Sequence, residues 1–455
     1  MATTPRLSPN SPAYWEAAKP DHAHQVVRRA RSVLRPARGD ETRARRASSR
    51  GPEAGCRLKP RLRRLGDSPS RGNAAPSLAG NRPIPGRDRM GVKAGGLELY
   101  AGPSRLGGPD DLDAVIRSFI DGAAASLLIA VQEIDSEPIA RAILAAKARK
   151  VRIQIILEGS YLTEEKAPTD PWLAGGDNEV NRTIHAAFLR AGVDVITDLN
   201  PAIFHQKFIV RDHGKASAAL LTGSTSFTHT DTGTNTSTGA MSGNNLNHVL
   251  VPHGQSAAAQ YRAEFLRMRA GTFGDLHERV EPKPVEFRLA GVRIKPLFAP
   301  RHGPEMEIMK QMLKATASID FAMFTFAQSS GIDDTMIRLV GPDLPIRGVL
   351  DRGQGAQKWA TTTPLHDAGV QLWENKPGTG VRKLHHKLMV IDQRLAIAGS
   401  FNYTGPATTL NDENIIVVGD LEETNPEADA TQRRFAAFAE AEIHRIITEL
   451  SRPIH

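Results

Sequence analysis

Cysteine and long apolar runs are scarce in this chain of 455 residues. Its single cysteine, Cys56, excludes an intramolecular disulfide and any zinc site built from several cysteines. No run of about 18 apolar residues is present, so the sequence predicts no membrane-spanning helix. The fold must therefore be stabilised by its core, and a hydrophobic content of 40% with 24% charged residues is typical of a globular protein.

Positive charge is unevenly distributed along the chain. Residues 1–90 contain 20 Lys and Arg against 7 Asp and Glu, a net of +13, whereas residues 91–455 contain 38 against 43, a net of −5. The overall charge of +8 therefore does not indicate a nucleic-acid-binding face on the larger part. The first segment is rich in Arg, Pro, Ser, Ala and Gly without a helix or strand period. This composition predicts a disordered basic tail or an upstream extension, with Met90 as the working start.

From residue 91 onward, two halves repeat the same order of elements. LELYAGP, beginning at Leu97, corresponds to IKPLFAP, beginning at Ile294, and AGVDVITD corresponds in the same way to AGVQLWEN. Each half alternates strand patterns with helix patterns. The order predicts an internal duplication, with a first lobe at 91–285 and a second lobe at 286–455, each an α/β sandwich.

Each half also ends in a His-x-Lys-x4-Asp pattern on a predicted strand, followed by Gly-Ser after a second strand. The polar residues are His205, Lys207, Asp212 and Ser224 in the first half and His385, Lys387, Asp392, Ser400 and Asn402 in the second. Alternate residues of a strand share a face, so the His and Lys of each pattern project together. Lysine holds the anionic oxygens of a phosphate, and a neutral imidazole can attack phosphorus. The Ser and Asn donors can reach the same oxygens, and for the two Asp residues capping of backbone amides in turns is the favoured interpretation.

The doubled pattern resembles the HKD signature of the phospholipase D superfamily over residues 91–455. The resemblance implies two lobes related by a pseudo-twofold axis, with one active site between them and no metal. It further implies catalysis through a phosphohistidine, with His205 as the nucleophile and His385 as the general acid. Glu413 is similar to the glutamate that supports a catalytic imidazole in this family.

The first half departs from the signature at two positions. Ser226 stands where the second half has Asn402, and the alignment of NNLNHVLV with NDENIIVV places Leu246 opposite Glu413. Asn245 or Asn247 is then a candidate uncharged replacement. Two catalytic histidines must hold opposite protonation states, so these unequal surroundings predict different, permanent roles for them.

The pattern indicates the chemistry and leaves the substrate open. Two motifs in one chain, the acidic balance of residues 91–455 and the absence of a spanning helix favour hydrolysis of a phospholipid headgroup ester to phosphatidic acid at a membrane surface. The expected enzyme is a monomer in the cytoplasm, with secretion as the alternative location. A nuclease whose basic tail binds nucleic acid is the alternative function. An inactive phosphate-binding scaffold is a second alternative, motivated by Ser226 and Leu246.

Overall fold

The computed structural model of the protein describes residues 91–163, 170–277 and 281–455. The predicted basic tail, residues 1–90, lies outside the described residues. The described residues form two nine-stranded sheets with helices packed against them.

The first sheet is formed mainly by the first half of the chain. Its strands are β1 (Val92–Ala94), β2 (Leu97–Gly102), β3 (Ser126–Val131), β4 (Arg152–Leu157), β5 (Asp194–Thr197), β6 (Lys207–Arg211), β7 (Ala219–Gly223) and β8 (Asn244–Pro252). Its helices are α1 (Leu112–Asp121), α2 (Glu137–Ala148), α3 (Glu179–Arg190), α4 (His229–Thr232) and α5 (Gln255–Arg269). The strand order is β1-β2-β8-β7-β6-β3-β4-β5. The central strands are almost continuously apolar because helices or the other lobe cover both faces.

The second sheet is formed by the second half. Its strands are β9 (Phe287–Leu289), β10 (Val292–Ala299), β11 (Ile319–Met323), β12 (Ile346–Leu350), β13 (Gln371–Asn375), β15 (Lys387–Ile391), β16 (Leu395–Gly399), β17 (Glu413–Val418) and β18 (Ser451–Pro453). Its helices are α6 (Pro304–Met312), α7 (Ile332–Leu339), α8 (Arg352–Gly355), α9 (Thr362–Asp367), α10 (Gly405–Thr409) and α11 (Pro426–Arg445). One strand of this half, β14 (Val381–Leu384), joins the first sheet, where it pairs in parallel with β8.

Seven strands of each sheet repeat the same order and directions. In the first sheet they run β2-β8-β7-β6-β3-β4-β5, and in the second β10-β17-β16-β15-β11-β12-β13. The first five strands of each series pair antiparallel and the last three pair in parallel. The predicted fold class, two similar α/β sandwich lobes, is therefore confirmed.

The two lobes share one apolar core. Its buried side chains come from both sheets and from α5 and α11, and a separate core fills the outer side of each lobe. Phe208, Tyr261 and Phe298 form an edge-to-face series across the interface, with ring centroids 5.0 and 4.9 Å apart. Because interiors are close-packed, this shared core holds the two sheets in one relative position. A site built from both lobes is thereby held in a constant geometry.

Candidate active site

The backbone just before each HKD strand crosses to the opposite lobe. The His205 amide donates to the carbonyl of Asp412 at 3.0 Å, and the His385 amide donates to the carbonyl of Leu246 at 2.9 Å. The strands themselves begin at Lys207 and Lys387. Each histidine therefore lies two residues before the start of its strand. The sequence pattern had predicted that it lies within the strand. The cross-lobe pairing places each histidine beside the last long strand of the other half.

His205 is held by a carboxylate of the second lobe. Its Nδ1 lies 2.6 Å from Oε2 of Glu413, and the same oxygen accepts a hydrogen bond of 2.6 Å from the Ser400 hydroxyl. Both partners are fully buried, and His205 is nearly so. The contact leaves Nε2 of His205 as the ring nitrogen available to the pocket.

His385 is held by an uncharged residue of the first lobe. Its Nδ1 lies 3.0 Å from Oδ1 of Asn247, which also accepts from the Ser224 hydroxyl at 2.7 Å. The amide NH₂ of Asn247 faces the carbonyl of Asp231, so Oδ1 is the acceptor and Nδ1 of His385 carries a proton. The carboxylate of Asp231 lies 3.6 Å from the same ring nitrogen.

Asn247, and not Leu246, is the structural counterpart of Glu413. Leu246 corresponds to Asp412, because these two residues supply the equivalent carbonyls to His385 and His205. The side chain of Leu246 packs in the shared core. The sequence alignment was therefore shifted by one residue, and such a shift moves every side chain to the other face of a strand. Of the two candidate replacements, Asn247 contacts His385.

Two glycines explain how Ser224 and Ser400 reach these partners. A Cβ at Gly223 would lie 2.3 Å from the carbonyl oxygen of His248, and one at Gly399 would lie 2.3 Å from that of Asn414. Only glycine permits strands this close at a φ of +149° or +157°. The hydroxyls of both serines are directed to Asn247 and Glu413. They orient the partners of the histidines, in place of the predicted contact with phosphate oxygens.

The two motif lysines are buried next to the histidines. Nζ of Lys207 donates to the carbonyl of His205 at 3.1 Å and to Oε1 of Gln132 at 3.2 Å, and Nζ of Lys387 donates to the carbonyl of His385 at 2.9 Å. Within the described ranges, neither ammonium lies in a salt bridge with a carboxylate. Burial lowers the pKa of Lys207 to about 8, and burial together with Lys207 lowers the pKa of Lys387 well below its usual value. A bound anion would offset the energetic cost of burying two charged ammonium groups, so the lysines are suited to bind phosphate.

The rings of the two histidines face each other at a right angle. Their centroids are 6.4 Å apart, with an interplanar angle of 88°. Burial and the lysines lower the pKa of His205 and of His385 well below the ordinary range. Burial raises the pKa of Glu413 to about 8. In the form in which Nδ1 of His205 donates its proton to the Glu413 carboxylate across this 2.6 Å contact, Nε2 of His205 is unprotonated and nucleophilic.

The pocket between the histidines has a volume of about 130 Å³. Of the remaining predicted residues, Ser226 and Asn402 both line it. Asn402 Oδ1 is buried without a partner in the described part of the chain, whereas the Ser226 amide donates to Asp231. The pocket also contains Asn245 and several side chains that the pattern did not single out, among them Glu133, Tyr161, Asp231, Phe324 and Lys383. Their only sequence signal was their place directly after or beside predicted strands.

Asp212 and Asp392 lie away from the pocket and cap the opposite ends of the motif strands. Asp212 accepts from the amides of Ala124, Ala125 and Ser126 at 2.7 to 2.9 Å. Asp392 accepts from the amides of residues 316–318 in the equivalent loop. Burial alone would raise the pKa of Asp212, but the hydrogen bonds from these backbone amides outweigh it and hold the pKa below its usual range. These contacts match capping of backbone amides and not contact with the phosphate.

We therefore expect Asp212→Ala to reduce stability without removing catalysis. The substitution leaves three backbone amides without their acceptor, which should lower the free energy of unfolding by about 2–4 kcal/mol. Chemical denaturation measures this change, and the turnover number per folded molecule should remain near that of the native chain. Asp121→Ala, at an exposed position, is the control and should change stability by less than about 0.5 kcal/mol. A turnover number reduced by several orders of magnitude in folded Asp212→Ala would contradict the capping role.

Comparison with known families agrees with this geometry. The family model described as "Cardiolipin synthase, PLD-like domain" matches residues 116–269 and 308–437, which include both histidines and both lysines. The chain belongs to the phospholipase D superfamily. The two matched segments also divide between the two halves of this superfamily member. Among the described residues, no helix is both long enough and apolar enough to span a membrane.

Several proteins resemble parts of this phospholipase D superfamily chain. A mitochondrial cardiolipin hydrolase of Chlamydomonas reinhardtii is 31% identical over 106 residues, 23% of this chain and 46% of the relative. A phospholipase D of Rickettsia bellii is 31% identical over 141 residues, 30% of this chain and 65% of the relative. The chain thus spans about half to two thirds of the length of these relatives. In fold it is similar to phosphatidylserine synthase of Haemophilus influenzae, with a TM-score of 0.53 and 11% identity over 80% of this chain and 89% of that chain.

Proposed function

We propose that the protein is a phosphodiesterase that hydrolyses the headgroup ester of a phospholipid and releases phosphatidic acid. The observation that carries the proposal is the pair of facing histidines with unequal partners, His205 on Glu413 and His385 on Asn247. Two buried ammonium groups beside them supply the positive charge that a phosphodiester anion requires. The names of the partial relatives, phospholipase D and cardiolipin hydrolase, support a lipid as the substrate class.

The first step transfers the phosphatidyl group to His205. Its Nε2 attacks phosphorus and forms a P–N bond. Glu413 accepts a hydrogen bond from Nδ1–H of the same ring and stabilises the positive charge that develops on it. The bond between phosphorus and the headgroup oxygen breaks. His385, doubly protonated once the phosphodiester anion is bound beside it, donates a proton to that oxygen, so the headgroup leaves as a neutral alcohol. Lys207 and Lys387 hold the non-bridging oxygens, where negative charge is concentrated.

The second step returns both histidines to their starting states. His385, now neutral, takes a proton from water as the oxygen of that water attacks phosphorus. The P–N bond breaks and phosphatidic acid is released. The opposite roles follow from the surroundings: a carboxylate hydrogen-bonded to Nδ1 increases the nucleophilicity of His205, whereas Nδ1 of His385 is hydrogen-bonded to an amide and has the Asp231 carboxylate only at 3.6 Å.

Hydrolysis of lipid vesicles and of plasmid DNA by the same preparation of the full chain tests the substrate class. We expect phosphatidic acid from vesicles that contain phosphatidylcholine, phosphatidylethanolamine and phosphatidylglycerol, and no cleavage of plasmid. The carboxylates of Glu133 and Asp231, which line the pocket, disfavour a polyanion. Efficient plasmid cleavage without phosphatidic acid would reject the proposal in favour of a nuclease. No hydrolysis of either substrate, or of a small diester, would favour the phosphate-binding scaffold.

A further inference from the structure

Glu133, Asp231 and Asn245 line the pocket on the side of His385, and none of them belongs to the HKD pattern. Glu133 directly follows the region of β3, Asp231 lies on α4 and Asn245 lies on β8. Asp231 is the residue whose carboxylate lies 3.6 Å from Nδ1 of His385. Because His385 is the proposed proton donor to the leaving oxygen, this is the side on which the headgroup lies.

Asn245 presents an unused acceptor to this pocket. Its side chain is only 5% exposed, and its NH₂ donates to Oδ1 of Asp231 at 2.5 Å. A carboxylate can only accept, so the amide nitrogen must face Asp231 and the amide oxygen must face away. That oxygen, Oδ1, is buried without a hydrogen-bond partner among the residues that the structure describes. A buried acceptor left unpaired in this way indicates a donor that arrives with a ligand.

The charged groups around the pocket also favour a ligand that brings hydrogen-bond donors, and they favour one that is positively charged. Three cations, Lys207, Lys383 and Lys387, share the site with the carboxylates of Glu133, Asp231 and Glu413. A bound phosphodiester adds one negative charge to these groups. Burial and the neighbouring Asp135 and Asp231 raise the pKa of Glu133 to about 8, because they outweigh the hydrogen bond from Asn181 and the charge of Lys383. A positive group beside Glu133 and Asp231 would compensate both the added phosphate and the buried acids.

We propose that this side of the pocket binds a headgroup that carries a primary ammonium group. The N–H groups donate to Asn245 Oδ1 and to the carboxylates of Glu133 and Asp231, while the alcohol oxygen of the headgroup lies next to His385. A quaternary ammonium has the charge but no N–H, so it leaves Asn245 unpaired. A glycerol headgroup has donors but no charge. The inference rests on the proposed phosphodiesterase reaction and adds the headgroup class to it.

The size of the cavity is consistent with a small headgroup. Its volume is about 130 Å³. The ring of Phe324 forms part of the lining, with its centroid 4.9 Å from that of His385. Nζ of Lys383 lies 5.3 Å from the Phe324 centroid. Specificity between small headgroups must therefore come from the few acceptors that remain.

Binding of water-soluble diesters tests the proposal without a membrane. The full chain carrying His205→Ala, which cannot turn over, is titrated by calorimetry with glycerophosphoethanolamine, glycerophosphocholine and glycerophosphoglycerol. We expect the ethanolamine diester to bind at least about tenfold more tightly than either of the others, a difference of about 1.4 kcal/mol. Equal or tighter binding of the choline diester overturns the proposal. So does tightest binding of the glycerol diester, or no measurable binding of any of the three.

Two substitutions assign the preference to the named groups. Asn245→Leu and Glu133→Gln should each bring the ratio of ethanolamine to choline affinity towards one. Asn411→Leu is the matched control, because Asn411 is the counterpart of Asn245 on the Glu413 side of the same pocket. It should change the three affinities alike and keep their ratio. Glu133→Gln preserves shape, so it decides the question if Asn245→Leu fails to fold, and an unchanged ratio in Glu133→Gln overturns the assignment.

Vesicle hydrolysis by the native chain separates this inference from the proposed function. Preference for the ethanolamine diester together with no release of phosphatidic acid rejects the lipid substrate and leaves the ammonium site standing. Release of phosphatidic acid at equal or higher rates from phosphatidylcholine than from phosphatidylethanolamine rejects the ammonium site and leaves the lipid function standing.

Discussion

Replacement of His205 by alanine should abolish hydrolysis of every diester, with a loss of about 10⁴-fold or more in kcat. Among the described residues that line the pocket, His205 alone has a carboxylate within hydrogen-bond distance of its far ring nitrogen, so we expect no covalent intermediate without it. The loss should be the same for a lipid headgroup and for p-nitrophenol as the leaving group. The second measurement is made on the native chain. Mass spectrometry after rapid quenching should map the acid-sensitive phosphohistidine to His205.

His385→Ala should behave differently, because this residue acts only as a proton donor and acceptor. The loss should be about 10²–10⁴-fold for an alkoxide leaving group, which requires a proton. It should be much smaller for formation of the intermediate from a p-nitrophenyl diester, whose leaving group departs without one. Under these conditions the phosphohistidine should accumulate, because water attack still lacks its base.

His366→Ala is the control for the loss of a histidine, since His366 lies outside the pocket with its side chain 40% exposed. Its kinetics should match those of the native chain. The two roles are reversed if His385→Ala loses activity equally with both leaving groups while His205→Ala retains activity towards the p-nitrophenyl diester.

The second large effect concerns the unequal partners of the two histidines. Glu413→Gln removes the charge that stabilises the ring of His205 during attack, and we expect kcat/KM to fall by about 10²-fold or more. The corresponding change on the other side, Asn247→Asp, adds a carboxylate to His385. Because a neighbouring negative charge favours the protonated ring, the pKa of His385 should rise.

The pH dependence of kcat/KM distinguishes these two changes. Burial and the lysines hold the pKa of His385 below the ordinary value of about 6.5, so in the native chain the proton donor is lost as pH rises and kcat/KM falls towards alkaline pH. Asn247→Asp should move this alkaline limb to higher pH, since the donor then remains protonated further. Glu413→Gln should lower the whole profile instead. A shift of the acidic limb in Asn247→Asp would show that His385 acts as the base in the first step.

Local patterns in the sequence were sufficient for the fold class and for the four central residues. Short apolar strand runs, helical spacing and a duplicated His-x-Lys pattern each lie within one or two adjacent elements, so the spacing of residues already carries the information. The predicted capping role of Asp212 likewise depended on a turn next to it in sequence.

Only the tertiary structure decided which group holds which histidine and what else enters the pocket. His205 and Glu413 are 208 positions apart, and they meet because the segment before each motif crosses to the opposite lobe. The pairing of Asn247 with His385 depended on a one-residue register within β8 that two weakly similar strands did not reveal. Glu133, Asp231 and Asn245 converge only when β3, α4 and β8 pack together. The sequence by itself thus determined the candidate catalytic residues, whereas long-range packing determined their hydrogen-bond partners, the direction of their pKa shifts and the further acceptors that line the pocket.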